Sequence, residues 1–178
     1  MQNSNTNKKS EPRWVPLQDT WTTPEELLDI LNVEQVPVPI VRVAQLLGAD
    51  VYLIDDVEWH GALEASVETG EANIYVYRNM PDTRKRFTVA HELGHLILHG
   101  DEKTEGAQYT VELRDHNFND TNQKEHQANG FGAGLLMPED KVKNLVTFLG
   151  QDIRELAESF EVSTPAMKNR LNKLSLLD

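Results

Sequence analysis

The chain contains no cysteine. That excludes a disulfide framework and any thiolate metal site, so a transition metal here can be held only by histidine and carboxylate. Long apolar runs are also missing, since no stretch approaches the roughly 18 residues that a membrane span needs. The opening MQNSNTNKKSEPRW lacks the apolar core of a secretory signal peptide. A cytoplasmic location without a membrane partner is therefore expected. Positive charge is scarce: 17 Lys and Arg stand against 29 Asp and Glu, a net charge of −12 with a pI near 4.9. Nucleic-acid affinity draws heavily on Lys and Arg neutralising phosphates. Direct nucleic-acid binding is thus not expected, and the balance tilts toward protein partners.

What is present suits a soluble globular fold. The 178 residues are 39% hydrophobic and 26% charged, enough for one domain with its own core. Residues 1–20, rich in Asn, Ser, Thr and Lys, read as a disordered tail. Residues 21–178 form the domain. Thr23-Pro24-Glu25-Glu26 opens a helix with a capping box, and a second follows Pro39 and stops at Gly48. Strand-like runs over 51–54, 61–67 and 72–77, with a hairpin turn at Thr69-Gly70, predict a small antiparallel sheet. Asp82 is placed to cap a helix running to His99, residues 100–120 read as a polar loop, and a further helix begins near Asn122. Short amphipathic helices complete an α+β, mostly helical domain. Those over about 150–174 have the rhythm of a helix-turn-helix.

The informative segment is His91-Glu92-Leu93-Gly94-His95. Two histidines four residues apart share one helix face, so both imidazoles can point at one ion. Glu92 sits beside them, near enough to take a proton from a water. Phe87, Val89, Ala90 and Leu96-Ile97-Leu98 make the helix otherwise fit for burial, where an unpaired carboxylate would be costly. A catalytic zinc site needs a third protein ligand. The longer motif with Gly at 98 and His at 101 is not met, because Leu98 and Asp101 stand there. His99 lies more than two turns from His91 and is better suited to the helix C-terminus. The candidates are Glu102, Glu105, Glu112, Asp115, His116, Glu125 and His126. Glu125 is preferred because it opens an amphipathic helix, where a ligand is held better than on a loop.

Two blocks carry a family resemblance: Arg86-Phe87-Thr88-Val89-Ala90-His91-Glu92-Leu93-Gly94-His95, and the run from Glu125-His126-Gln127-Ala128-Asn129-Gly130-Phe131 to Leu135-Leu136-Met137-Pro138. In these the chain resembles the ImmA/IrrE metallopeptidases, gluzincin-like proteins of bacteria and their mobile elements. The resemblance spans roughly residues 22–174 and implies a zincin-like fold. It also implies His91, His95 and Glu125 as zinc ligands and Glu92 as general base. Mn2+ or Fe2+ would suit the same donors. The implied substrate is a helix-turn-helix repressor, cut to derepress stress-response or mobile-element genes. Gly132 stands where the family has Ala, and the glycines over 130–134 predict a looser helix there. Tyr109, His116 and His126 are candidates for stabilising an oxyanion. The strand over 72–77 is a candidate edge for pairing with an extended substrate.

Two other classes compete with the peptidase. A DNA-binding regulator would use Arg154, Lys168, Arg170 and Lys173, but Glu155, Glu158 and Glu161 oppose them. A regulator that holds a metal and sequesters a repressor without turnover would share the same metal helix.

Overall fold

A computed structural model describes residues 23–55, 60–66, 70–100, 109–112 and 123–177. The expected tail over residues 1–20 lies outside them. The described elements run α1 (Pro24–Ile30), α2 (Ile40–Leu46), β1 (Ala49–Ile54), β2 (Gly61–Ser66), β3 (Glu71–Tyr77) and α3 (Asp82–His99), then β4 (Tyr109–Glu112), α4 (Gln123–Leu136), α5 (Glu139–Leu149), α6 (Ile153–Phe160) and α7 (Thr164–Lys173). This is the expected α+β, zincin-like class. No helix among the described residues is long and apolar enough to cross a membrane.

Local signals behave as their chemistry demands. Thr23 accepts from the Glu26 amide while Glu26 returns a bond to the Thr23 amide, closing the capping box. At the start of α6 the Asp152 side chain accepts from the Arg154 and Glu155 amides, and at the start of α7 Ser163 accepts from the Ala166 amide. Asp82 does not cap α3. It is the first helical residue after Pro81, where its charge still complements the helix dipole. In place of a continuous loop over 100–120, Tyr109–Glu112 form β4, paired antiparallel with β2. Four residues are too few to show a period, and only the neighbouring strand makes them one.

The sheet order is β1-β3-β2-β4. β2 pairs antiparallel with β3, but β1 pairs parallel with it, Ala49 opposite Ala72 through Ile54 opposite Tyr77. The sheet is therefore mixed rather than wholly antiparallel. The reason is parity: β1 and β2 run oppositely with a gap between them, and β3 turns back from β2 into that gap. β3 is consequently central and is not an edge for a substrate. Along it Ala72, Ile74 and Val76 are buried while Asn73, Tyr75 and Tyr77 are half-buried, the alternation of a sheet with one face on the core. On the other face Tyr75 stacks on Tyr52 at 5.6 Å and donates to Glu64.

Against the buried face lies α3, contributing Val89, Leu93 and Leu96 to one core with Leu63, Ile74, Leu135 and Leu136. α6 and α7 turn Leu156, Phe160, Met167 and Leu171 into that core. Arg170 follows them inward: its Nε donates to the Met137 carbonyl at 2.9 Å and its guanidinium faces Glu25 at 3.4 Å. A basic residue of the helix-turn-helix-like pair thus serves as an internal tie between α7, the end of α4 and α1.

Candidate metal centre

The centre is built where α3 crosses α4. The helices approach closely because Gly94 faces the backbone of Ala128, and Gly132 faces that of Ala90 and His91. A methyl group at Gly94 would sit 2.8 Å from the Ala128 carbonyl oxygen, and one at Gly132 2.9 Å from the Ala90 carbonyl. The departure at Gly132 therefore does not loosen α4, which runs unbroken over Gln123–Leu136. It lets the two helices touch.

That contact brings Glu125 across to the histidines. His95 Nε2 lies 3.1 Å from His91 Nε2. Glu125 places one carboxylate oxygen 3.3 Å from His91 Nε2 and the other 3.1 Å from His95 Nε2. Both imidazoles are buried and Glu125 is partly so. Its close contacts with His91, and then with His95, hold the Glu125 carboxyl far below the usual carboxylate range. For a tetrahedral ion with arms of roughly 2.0–2.1 Å, neighbouring donors stand about 3.3 Å apart. The observed spacing has that size, so the cluster could hold a metal ion.

Glu92 makes none of these contacts. It is wholly buried, and neither carboxylate oxygen has a hydrogen-bond partner among the described residues. From the sheet side, the start of β2 comes down on it: a methyl on Gly61 would lie 3.1 Å from Glu92 Oε1. Burial, and then the charge on Glu125, push its carboxyl well above the ordinary value. Two unsatisfied buried oxygens are a large cost unless something polar meets them. A metal site with its water is one way to meet them, and the donor set therefore fits such a group.

Asn129 is the residue that spacing overlooked. It lies one turn after Glu125 on α4, and His91 Nδ1–H donates to its Oδ1 at 2.9 Å. This bond fixes the tautomer that leaves the Nε2 lone pair aimed into the cluster. Two polar residues at i and i+4 on an otherwise apolar helix face were its signal. Replacing Asn129 with Ala is expected to weaken zinc binding about 10- to 100-fold, measured by competition with a chromophoric chelator. Unchanged affinity would show that packing alone orients His91.

Among the described residues, no other candidate joins the cluster. His99 is buried with its ring 5.7 Å from that of His95, yet it is not part of the cluster. His126 is exposed on α4 and borders a cavity on the Asn129 side. Tyr109 and Glu112 are on β4. Glu102, Glu105, Asp115 and His116 lie outside the described residues.

Comparison with known proteins bears on the fold and the family. The fold is similar to that of a Mycobacterium tuberculosis transcriptional regulator, with a TM-score of 0.60 and 15% identity. The match covers 84% of this chain and 44% of the other, so the chain spans less than half the length of that structure. No curated protein matches the sequence. Residues 44–172, which contain both helices of the centre, match the family model Peptidase_M78, described as the IrrE N-terminal-like domain. The chain belongs to that family.

Proposed function

We propose that the protein is a zinc-dependent endopeptidase that cleaves a protein substrate, with His91, His95 and Glu125 holding the metal and Glu92 acting as general base. The observation that carries this reading is the pair of Glu92 oxygens, buried beside a three-residue donor cluster and without a hydrogen-bond partner among the described residues. Membership of a peptidase family supports it. When bound, the ion would supply Lewis acidity to a water and to the scissile carbonyl. The chain's own residues do the rest. Glu92 accepts the water's proton and passes it to the leaving amine, and its raised affinity for a proton suits that shuttle. Asn129 holds His91 in register. Among the described strands the sheet edges are β1 and β4, and β4 adjoins β2, whose Gly61 faces Glu92. The outer side of β4 is the edge on which an extended substrate would pair.

The finer reading is that the substrate is a helix-turn-helix repressor whose cleavage releases stress-response or mobile-element genes. The family and a fold shared with a transcriptional regulator support a regulatory substrate.

Elemental analysis of the purified chain tests the foundation. About one zinc per chain is expected, and Glu125→Ala should lose it, because removing one of three donors leaves two neutral imidazoles. A chain that neither carries nor takes up metal would overturn the peptidase reading.

A further inference from the structure

Glycine weakens a strand, and its presence in one often marks a place where something approaches the backbone closely. Gly61 opens β2, is buried, and pairs with Val76 of the central strand. Its backbone is not left-handed, unlike that of Gly48, Gly70 and Gly150, so conformation does not call for glycine here. Space does. A Cβ at this position would stand 2.2 Å from Thr88 Cγ2, 3.1 Å from Glu92 Oε1 and 3.5 Å from the Tyr75 carbonyl oxygen.

Neither side of this contact yields easily. The start of β2 is tied to β3 by the bond from the Tyr77 amide to the His60 carbonyl at 3.0 Å, and β3 has strands on both sides. Thr88 and Glu92 lie one turn apart on α3, both buried. α3 is itself held against α4 at Gly94 and Gly132. The strand therefore rests directly on the helix, and the sheet side of the Glu92 carboxylate is bounded by a residue without a side chain.

That boundary matters to a proton acceptor. A general base must lie within about 2.6–3.2 Å of the proton it takes, and a misplacement of about 1 Å can cost roughly a hundredfold in rate. Neither Glu92 oxygen has a hydrogen-bond partner among the described residues. Within the described fold, packing rather than hydrogen bonding sets where they lie.

We infer that Gly61 is a positioning residue for Glu92: its missing side chain leaves the carboxylate its place beside the metal centre, and one methyl there displaces it. This rests on the reading of Glu92 as general base.

Gly61→Ala alone would press first on Thr88, and should lower the unfolding midpoint by about 5 °C. Thr88→Ala removes Cγ2, the atom at 2.2 Å, and leaves Glu92 Oε1 as the nearest neighbour of the new methyl. The decisive comparison is therefore Gly61→Ala/Thr88→Ala against Thr88→Ala, each as the full chain with zinc. The two should unfold within about 2 °C of each other and bind zinc within about threefold, by chelator competition. Turnover of a quenched fluorescent peptide library should nevertheless be about 10- to 100-fold lower in the double variant. Acetohydroxamate, a small metal chelator whose N–H and O–H groups a neighbouring carboxylate can accept, should bind it about tenfold more weakly by calorimetry. Glu92→Gln should show a similar loss of acetohydroxamate affinity.

Turnover and acetohydroxamate affinity equal to those of Thr88→Ala would overturn the inference and leave Gly61 a packing residue. Zinc lost together with turnover would also overturn it, by making Gly61 a support of the metal helix. So would destabilisation that persists after Thr88→Ala, because the clash would then lie elsewhere. Turnover and acetohydroxamate affinity retained by Glu92→Gln would instead refute the base assignment, and this inference with it. An inactive Glu92→Gln beside a fully active double variant would refute the role of Gly61 alone.

Discussion

Replacing Glu92 with Gln should lower peptide-bond turnover by about a thousandfold, close to 4 kcal/mol of transition-state stabilisation, while leaving metal content intact. Gln keeps the size of the side chain but cannot accept a proton. The metal donors are on other residues, so the zinc should stay. Stability supplies an independent readout. The Glu92 carboxyl is wholly buried and neither oxygen is hydrogen-bonded within the described fold. A neutral amide of the same shape removes the charge from that position, so the metal-free variant should unfold at an equal or higher temperature than the metal-free parent. Turnover of a quenched fluorescent peptide library, zinc content and thermal unfolding are the three measurements. Turnover retained within tenfold would remove Glu92 from the role of base. Loss of metal together with activity would make Glu92 a structural part of the centre.

The helix crossing should be the most sensitive place in the scaffold. Gly94→Ala is expected to destabilise the chain by about 2 kcal/mol and to weaken zinc binding at least tenfold. A helix interior gains about 1 kcal/mol when Gly becomes Ala, so a simple propensity argument predicts the opposite sign. The geometry decides it: the new methyl would stand 2.8 Å from the Ala128 carbonyl oxygen and 2.9 Å from its Cα, both backbone atoms that cannot rotate away. α4 must then move as a body. Ala128 lies between Glu125 and Asn129, so the shift separates Glu125 from the imidazoles it now meets at 3.1 and 3.3 Å. Gly130→Ala is the control. It lies on the same helix, and its methyl would meet only Lys173 Nζ at 3.7 Å, so stability should rise by up to about 1 kcal/mol. Urea unfolding of both variants, with chelator competition for zinc, separates the two effects. Equal behaviour of the two would show that the helices are not in steric contact at Gly94.

The sequence by itself determined the parts of this protein that are local. His91, Glu92 and His95 lie within five residues, and helical geometry alone puts both imidazoles on one face. The capping box at Thr23, the turn glycines at 48 and 70 and the alternation along β3 are likewise written into neighbours in the chain. Glu125 was half legible. Its amphipathic helix could be read, but spacing left six other candidates open, and the family resemblance singled it out.

Only the tertiary structure decided the rest. The parallel pairing of β1 with β3 follows from which gap the hairpin fills, and strand composition does not record that. β4 has too few residues for a period and exists through its partner β2. Gly132 read as a weakness in its helix and turned out to be a contact, because the cost of a methyl there depends on Ala90, far away in sequence. Asn129 oriented His91 unannounced, since a hydrogen bond between two helices has no signature in either one alone. Helix periodicity is set by the nearest few residues. Which helix face meets which is set by packing among all of them, and the candidate metal centre lies at one such meeting.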